Sequence, residues 1–207
     1  RDYKVTGVQT CALPIYWRVG VIGGVAALTA LIATVALGLR DDLGAQMTQG
    51  PFLIKISALL FLALAAARGL MCALLPDGGP SGWGARICLA LGLGAIGWGG
   101  ALTFVYAGRM VPEAFVCLLW IPLIGVVPFA FFVALLRYGA PVRPSAVAVT
   151  LTLGSWAVSS LAYALHCNAD LPLGTAGGNL IMLFLYALAL PVFLLPAWRL
   201  RHWLCRW

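Results

Sequence analysis

Charge is what this chain has least of. Asp, Glu, Lys and Arg together make up 9% of its 207 residues, while 63% are apolar. Soluble domains carry roughly 25% charged and about 45–50% apolar residues. A chain this poor in polar surface is excluded from the water-soluble class, because the hydrophobic effect would drive it into lipid or into aggregates. Catalytic signatures are missing too. The sequence has no H-E-x-x-H, no G-x-S-x-G, no C-x-x-C and no paired acids inside an apolar stretch. Metalloprotease, serine-hydrolase and dithiol redox chemistry therefore have no centre to use, and no enzyme is expected. No internal repeat is visible, which removes support for an inverted-repeat transporter. No nucleic-acid partner and no resident cofactor are expected.

What is present is long apolar runs. A spanning helix needs about 20 apolar residues to cross about 30 Å of hydrocarbon. Six stretches qualify, at residues 19–39, 52–75, 87–106, 115–136, 145–165 and 179–198. The connections between them carry charges and breakers, such as Arg40-Asp41-Asp42 with Gly50-Pro51, and Pro76-Asp77-Gly78-Gly79-Pro80, as expected of short loops at the water boundary. Lipid offers no partner for exposed backbone amides, so the runs must be helices. The polar alternation of a membrane β-barrel is absent. The expected fold is all-α, a polytopic bundle of six transmembrane helices with the lipid bilayer as its surroundings.

The leading residues 1–16, RDYKVTGVQTCALPIY, stand apart. Their core, VTGVQTCALPI, resembles the in-frame translation of a sequencing adapter and ends just before the first apolar run. Residues 1–15 are therefore set aside as non-native, Tyr16 is grouped with them, and Cys11 is given no role. Residues 17–207 form the expected transmembrane domain.

Orientation follows from Lys and Arg. An even number of spans places both ends on one side, and that side collects Arg18, Arg86, Arg137, Arg143, Arg199, Arg201 and Arg206. The other side has Arg40, Lys55 and Arg109 beside Asp41, Asp42 and Glu113. This asymmetry places both termini in the cytoplasm, with Trp17, Trp83, Trp198, Trp203 and Trp207 as interfacial anchors.

Several motifs have plain readings. Gly92-Leu93-Gly94-Ala95-Ile96-Gly97 fits G-x-G-x-x-G, but it lies inside a span, where glycines let helices approach closely. Pro122 and Pro128 in the fourth span, and Pro191 and Pro196 in the sixth, each remove a backbone hydrogen bond and kink a helix. The kinked fourth span is the candidate moving element. Arg68 lies about 10 Å along the helix from the inner end of the second span, within reach of the interface by snorkelling.

The cysteines are more informative. Cys72, Cys88 and Cys205 fall near the cytoplasmic face, where thiols stay reduced. Cys117 and Cys167 fall on the other side. The loop joining the fourth and fifth spans is short, so these helices should be antiparallel neighbours. Cys117 precedes Arg137 by 20 residues and Cys167 follows Pro144 by 23. At about 1.5 Å per residue both reach nearly the same height. Three fates stay open. The pair could form a disulfide if the Cα atoms come within about 7 Å. It could ligate a soft metal ion, with His166, Glu113 or Asp170 nearby. Or it could be two small apolar residues in helix packing.

From Val19 to the C-terminus the chain resembles the NrsF family, the membrane-bound negative regulators of sigma F. The resemblance rests on Leu37-Gly38-Leu39-Arg40 with Asp42-Leu43, on Cys117-Leu118-Leu119-Trp120-Ile121-Pro122-Leu123, on Leu135-Leu136-Arg137 with Gly139-Ala140-Pro141 and Arg143-Pro144, and above all on Tyr163-Ala164-Leu165-His166-Cys167. It implies a six-span inner-membrane anti-sigma factor that holds an extracytoplasmic-function sigma factor at the cytoplasmic face and releases it under metal or oxidative stress. Two cysteines of the family match Cys117 and Cys167, which implies a sensing role for this pair, and a soft metal ion would then be a signal. A short cytoplasmic leader, part of the sigma contact, is implied at the place the adapter-like stretch occupies. The rival expectations are a small-molecule or ion transporter, and a membrane thiol oxidoreductase.

Overall fold

The computed structural model describes residues 15–73, 82–105, 116–137, 141, 143–167 and 176–205. These are 89% helical with no strands. Eight helices follow in order: α1 Ile15–Leu37, α2 Leu43–Gln46, α3 Gly50–Ala73, α4 Trp83–Val105, α5 Val116–Arg137, α6 Pro144–Ala164, α7 Ala176–Ala187 and α8 Leu190–Leu204. Among the described residues they supply six spans long and apolar enough to cross a membrane, with α7 and α8 sharing the last one. Side chains as large as Phe104, Leu119, Leu195 and Trp98 point outward, a surface that suits hydrocarbon and not water.

The axis of the bundle is α6, which packs against α1, α3, α5 and α8. It is 67% buried over its spanning window, the highest share of the six, yet its mean hydropathy of 1.4 is the lowest. Both facts have one cause. Ala148, Gly154, Ser155, Ala157, Ser159 and Ser160 are small, so neighbouring backbones can come close. Two hydroxyls of α6 bond back to the helix: Ser159 Oγ donates to the Ser155 carbonyl at 2.9 Å, and Thr150 Oγ1 to that of Ala146 at 2.8 Å. Gly92, from the glycine motif of α4, faces Leu62 of α3, and Gly99 faces the Leu180 carbonyl of α7. A Cβ at either position would overlap its neighbour, which makes the glycines packing residues.

The sixth span departs from the single kinked helix expected of it. It breaks at Leu188 and Ala189, between α7 and α8. Pro191 has no N–H to give the Ala187 carbonyl, and the turn tightens into three-residue steps: Leu188 N–H to Leu185, Ala189 N–H to Tyr186 and Val192 N–H to Ala189, each 3.1 Å. A second donor reaches the break, the indole Nε1 of Trp156, 2.7 Å from the Tyr186 carbonyl. By contrast α5 runs unbroken through Pro122 and Pro128.

Candidate functional site

The sequence directs attention to the bundle end that carries the α1–α3 connection and the C-terminus of α6. There α1 stops because Gly38 takes a positive φ of 81°, a backbone state that ends helices and favours glycine. The reversed chain carries Arg40 across the end of α6. The Arg40 N–H donates to the Leu165 carbonyl at 3.3 Å. Its guanidinium Nη1 donates to the Cys167 carbonyl at 2.9 Å. The remaining edge forms a fork on Asp42, with Nε to Oδ1 at 2.6 Å and Nη2 to Oδ2 at 2.9 Å. Arg40 is 2% exposed along its side chain while Asp42 is 47% exposed, so the pair joins the interior to the surface. A fixed cation at a helix C-terminus also complements the helix dipole.

Asp42 is organised by the same contact. Hydrogen bonds from Arg40 first, and from Gln46 second, hold its carboxyl well below the usual carboxylate range. Beneath the fork the Arg40 guanidinium lies 5.5 Å from the centre of the Phe52 ring, and Lys55 Nζ lies 5.1 Å from it. Lys55, 1% exposed, is a residue of α3, inside the second expected span. By their place in the sequence both cations read as markers of the membrane boundary. Nothing in a hydropathy profile tells a charge in water from one folded back onto a helix end. Arg68, in contrast, is exposed on α3.

The predicted site residues take different positions. His166 is half-buried, with Nδ1 2.9 Å from the Gly38 carbonyl. A carbonyl only accepts, so Nδ1 donates in this contact, and in the neutral ring Nε2 is then the nitrogen with a lone pair. That is the arrangement in which a backbone carbonyl orients a metal-binding imidazole. Cys167, one residue on, is 5% exposed and belongs to the apolar core with Tyr163 and Tyr186. Its N–H donates to the Tyr163 carbonyl at 3.0 Å. The Tyr163 ring lies 5.9 Å from that of His166 and 5.8 Å from that of Tyr186. Cys117 belongs to the first turn of α5, and its side chain lies outside the described residues. Its neighbours Leu118 and Trp120 pack on the core cluster that contains Cys167. Helices α5 and α6 lie side by side, so the chain at Cys117 and the chain at Cys167 share one end of the bundle. Glu113 and Asp170 lie outside the described residues. Among the described residues no group of three or more His, Cys, Asp and Glu side chains could hold a metal ion.

At the opposite end, Cys72, Cys88 and Cys205 are half-buried. Burial pushes the Cys205 thiol up. Arg137 lies 4.1 Å from the centre of the Trp203 ring and Arg201 3.3 Å from that of Trp198, a basic and aromatic edge of the kind found at interfaces.

Two of the segments that carry the family resemblance, residues 37–43 and 163–167, are thus the two halves of one hydrogen-bonded structure. No curated protein and no solved structure matches the chain. A family model described as negative regulator of sigma F matches residues 4–207. With nearly the whole length covered, this chain is a member of the NrsF family, whose name makes it a negative regulator of a sigma factor.

Proposed function

We propose that the protein lies in the bacterial inner membrane with both termini in the cytoplasm. It holds an extracytoplasmic-function sigma factor at the cytoplasmic face and releases it when Cys117 and Cys167, at the periplasmic rim, react with a soft metal ion or an oxidant. The observation that carries this reading is the position of Cys167. It lies two residues past Leu165, the C-cap of the helix that packs against four of the other helices, a place from which a change at that thiol can be passed to the bundle. In the metal arm both thiols lose protons and bind the ion as thiolates, with His166 Nε2 as a third donor; the ion is a signal and not a resident cofactor. In the oxidative arm one S–S bond forms while two protons and two electrons pass to the oxidant.

The function is tested by recovering the tagged protein from membranes of cells that express a sigma factor with it. Sigma factor retained in the unstressed sample and lost after copper or diamide treatment is the expected result. A chain that never retains sigma, or retains it equally under stress, contradicts the reading. A cavity of about 140 Å³ between α1 and α5 is lined by Thr29 and otherwise apolar residues, among them Ile32, Leu37, Trp120 and Leu123. It gives no support to a polar transport path.

A further inference from the structure

The Cys167 thiol faces a physical difficulty. A metal ion or a water-borne oxidant must reach it, yet it is 5% exposed and packed in an apolar cluster. His166, its immediate neighbour, sits at the surface side of the same turn. For a water-borne ion to reach both side chains, the buried thiol must be uncovered. What holds the chain at Cys167 is visible. Its N–H is tied to the Tyr163 carbonyl and its carbonyl to the Arg40 guanidinium. Of the two, the second reaches outside α6, to the loop that follows α1.

We propose that Arg40, fixed by Asp42, is a positioning residue that latches Cys167 in its buried state and ties that state to the contact between α1 and α6. Arg40 uses three N–H groups at once: two on Asp42 and one on the Cys167 carbonyl. Its own backbone N–H and the His166 ring complete the joint, on Leu165 and Gly38 respectively. Moving Cys167 outward breaks the Nη1 bond and loosens the end of α1 in the same event. A charge-assisted bond is stronger than a neutral one, and a planar fork is not reproduced by lysine. The inference rests on the sensing reading for its biological consequence and not for its geometry.

The test is the rate at which a maleimide labels Cys167 in lysed membranes, using a full chain in which the other five cysteines are Ser. Labelling then reports the opened population from either side of the membrane. Arg40→Gln should raise the rate about tenfold or more, the scale set by losing one charge-assisted hydrogen bond. Asp42→Asn should raise it as well, and it leaves no buried space empty, because Asp42 is half exposed. Arg40→Lys should fall between wild type and Arg40→Gln. A chain retaining only Cys205 should label at the same rate with and without Arg40→Gln. Unchanged Cys167 rates in both variants overturn the latch, and so does equal acceleration at Cys205, which would mean general loosening. A reporter for the sigma factor separates the two levels. Faster labelling with raised basal output in Asp42→Asn supports both the latch and the sensing reading. Faster labelling with flat output keeps the latch and removes the sensing reading.

Discussion

Trp156, fully buried on α6, donates its indole N–H to the Tyr186 carbonyl at 2.7 Å, one residue before α7 ends. The bond joins the central helix to the break in the last span, where Pro191 leaves the backbone short of a donor. Trp156→Phe keeps an aromatic ring, smaller than the indole, and removes the donor. It should cost about 1–3 kcal/mol of stability, combining the lost bond and the smaller side chain. Thermal unfolding in mild detergent measures this, and an unchanged transition would show that the break is held by its prolines alone.

The glycines of α4 divide into two kinds. A Cβ at Gly99 would overlap the Leu180 carbonyl, which is backbone and cannot swing aside, whereas one at Gly94 meets nothing within 4 Å. Gly99→Ala should therefore destabilise by about 1–3 kcal/mol through overpacking. Gly94→Ala should be neutral or stabilising by about 0.5–1 kcal/mol, the helix preference of alanine over glycine. The same unfolding assay ranks them, and equal effects would contradict the close approach of α4 to α7.

The Arg40–Asp42 fork has a defined pH window. The folded-state value of Asp42 is depressed below its ordinary value of 3.8. Its contribution is therefore present above that ordinary value and is lost as pH falls toward the depressed one. The stability difference between wild type and Asp42→Asn should be flat from neutral pH to about pH 5 and shrink below it. Unfolding midpoints of both proteins across this range check the sign. A difference that grows on acidification would reverse the assignment.

At the other end, Arg137 closes α5 onto Trp203 of α8. A double-mutant cycle with Arg137→Gln and Trp203→Leu should give a coupling of about 0.5–1 kcal/mol, as for cation–π pairs at exposed sites. Additive single effects would show that the stacking contributes nothing.

The six spans were legible because hydrophobic length is read directly from the chain. The neighbouring placement of α5 and α6 followed from their short connection. The role of α6 was not legible. Its serines and threonines lower its hydropathy, and only contacts show that they face other helices and not lipid. By sequence the break before Pro191 reads as a kink, because a missing N–H at one residue does not reveal whether the helix bends or restarts. Arg40 reads as a boundary charge for a similar reason: its partner Cys167 stands 127 positions away. The family resemblance did point to both halves of that joint, as two separate segments. Their meeting in space is what the structure adds.

The central claim is that the thiols at Cys117 and Cys167 gate release of the sigma factor. The most direct measurement is a sigma-dependent reporter in cells carrying wild type, Cys117→Ser, Cys167→Ser or the double variant, each challenged with copper and separately with diamide. Wild type should induce, and every variant should lose most of its induction to at least one of the two challenges while remaining at wild-type levels in the membrane. Full induction by both challenges in the double variant would contradict the claim.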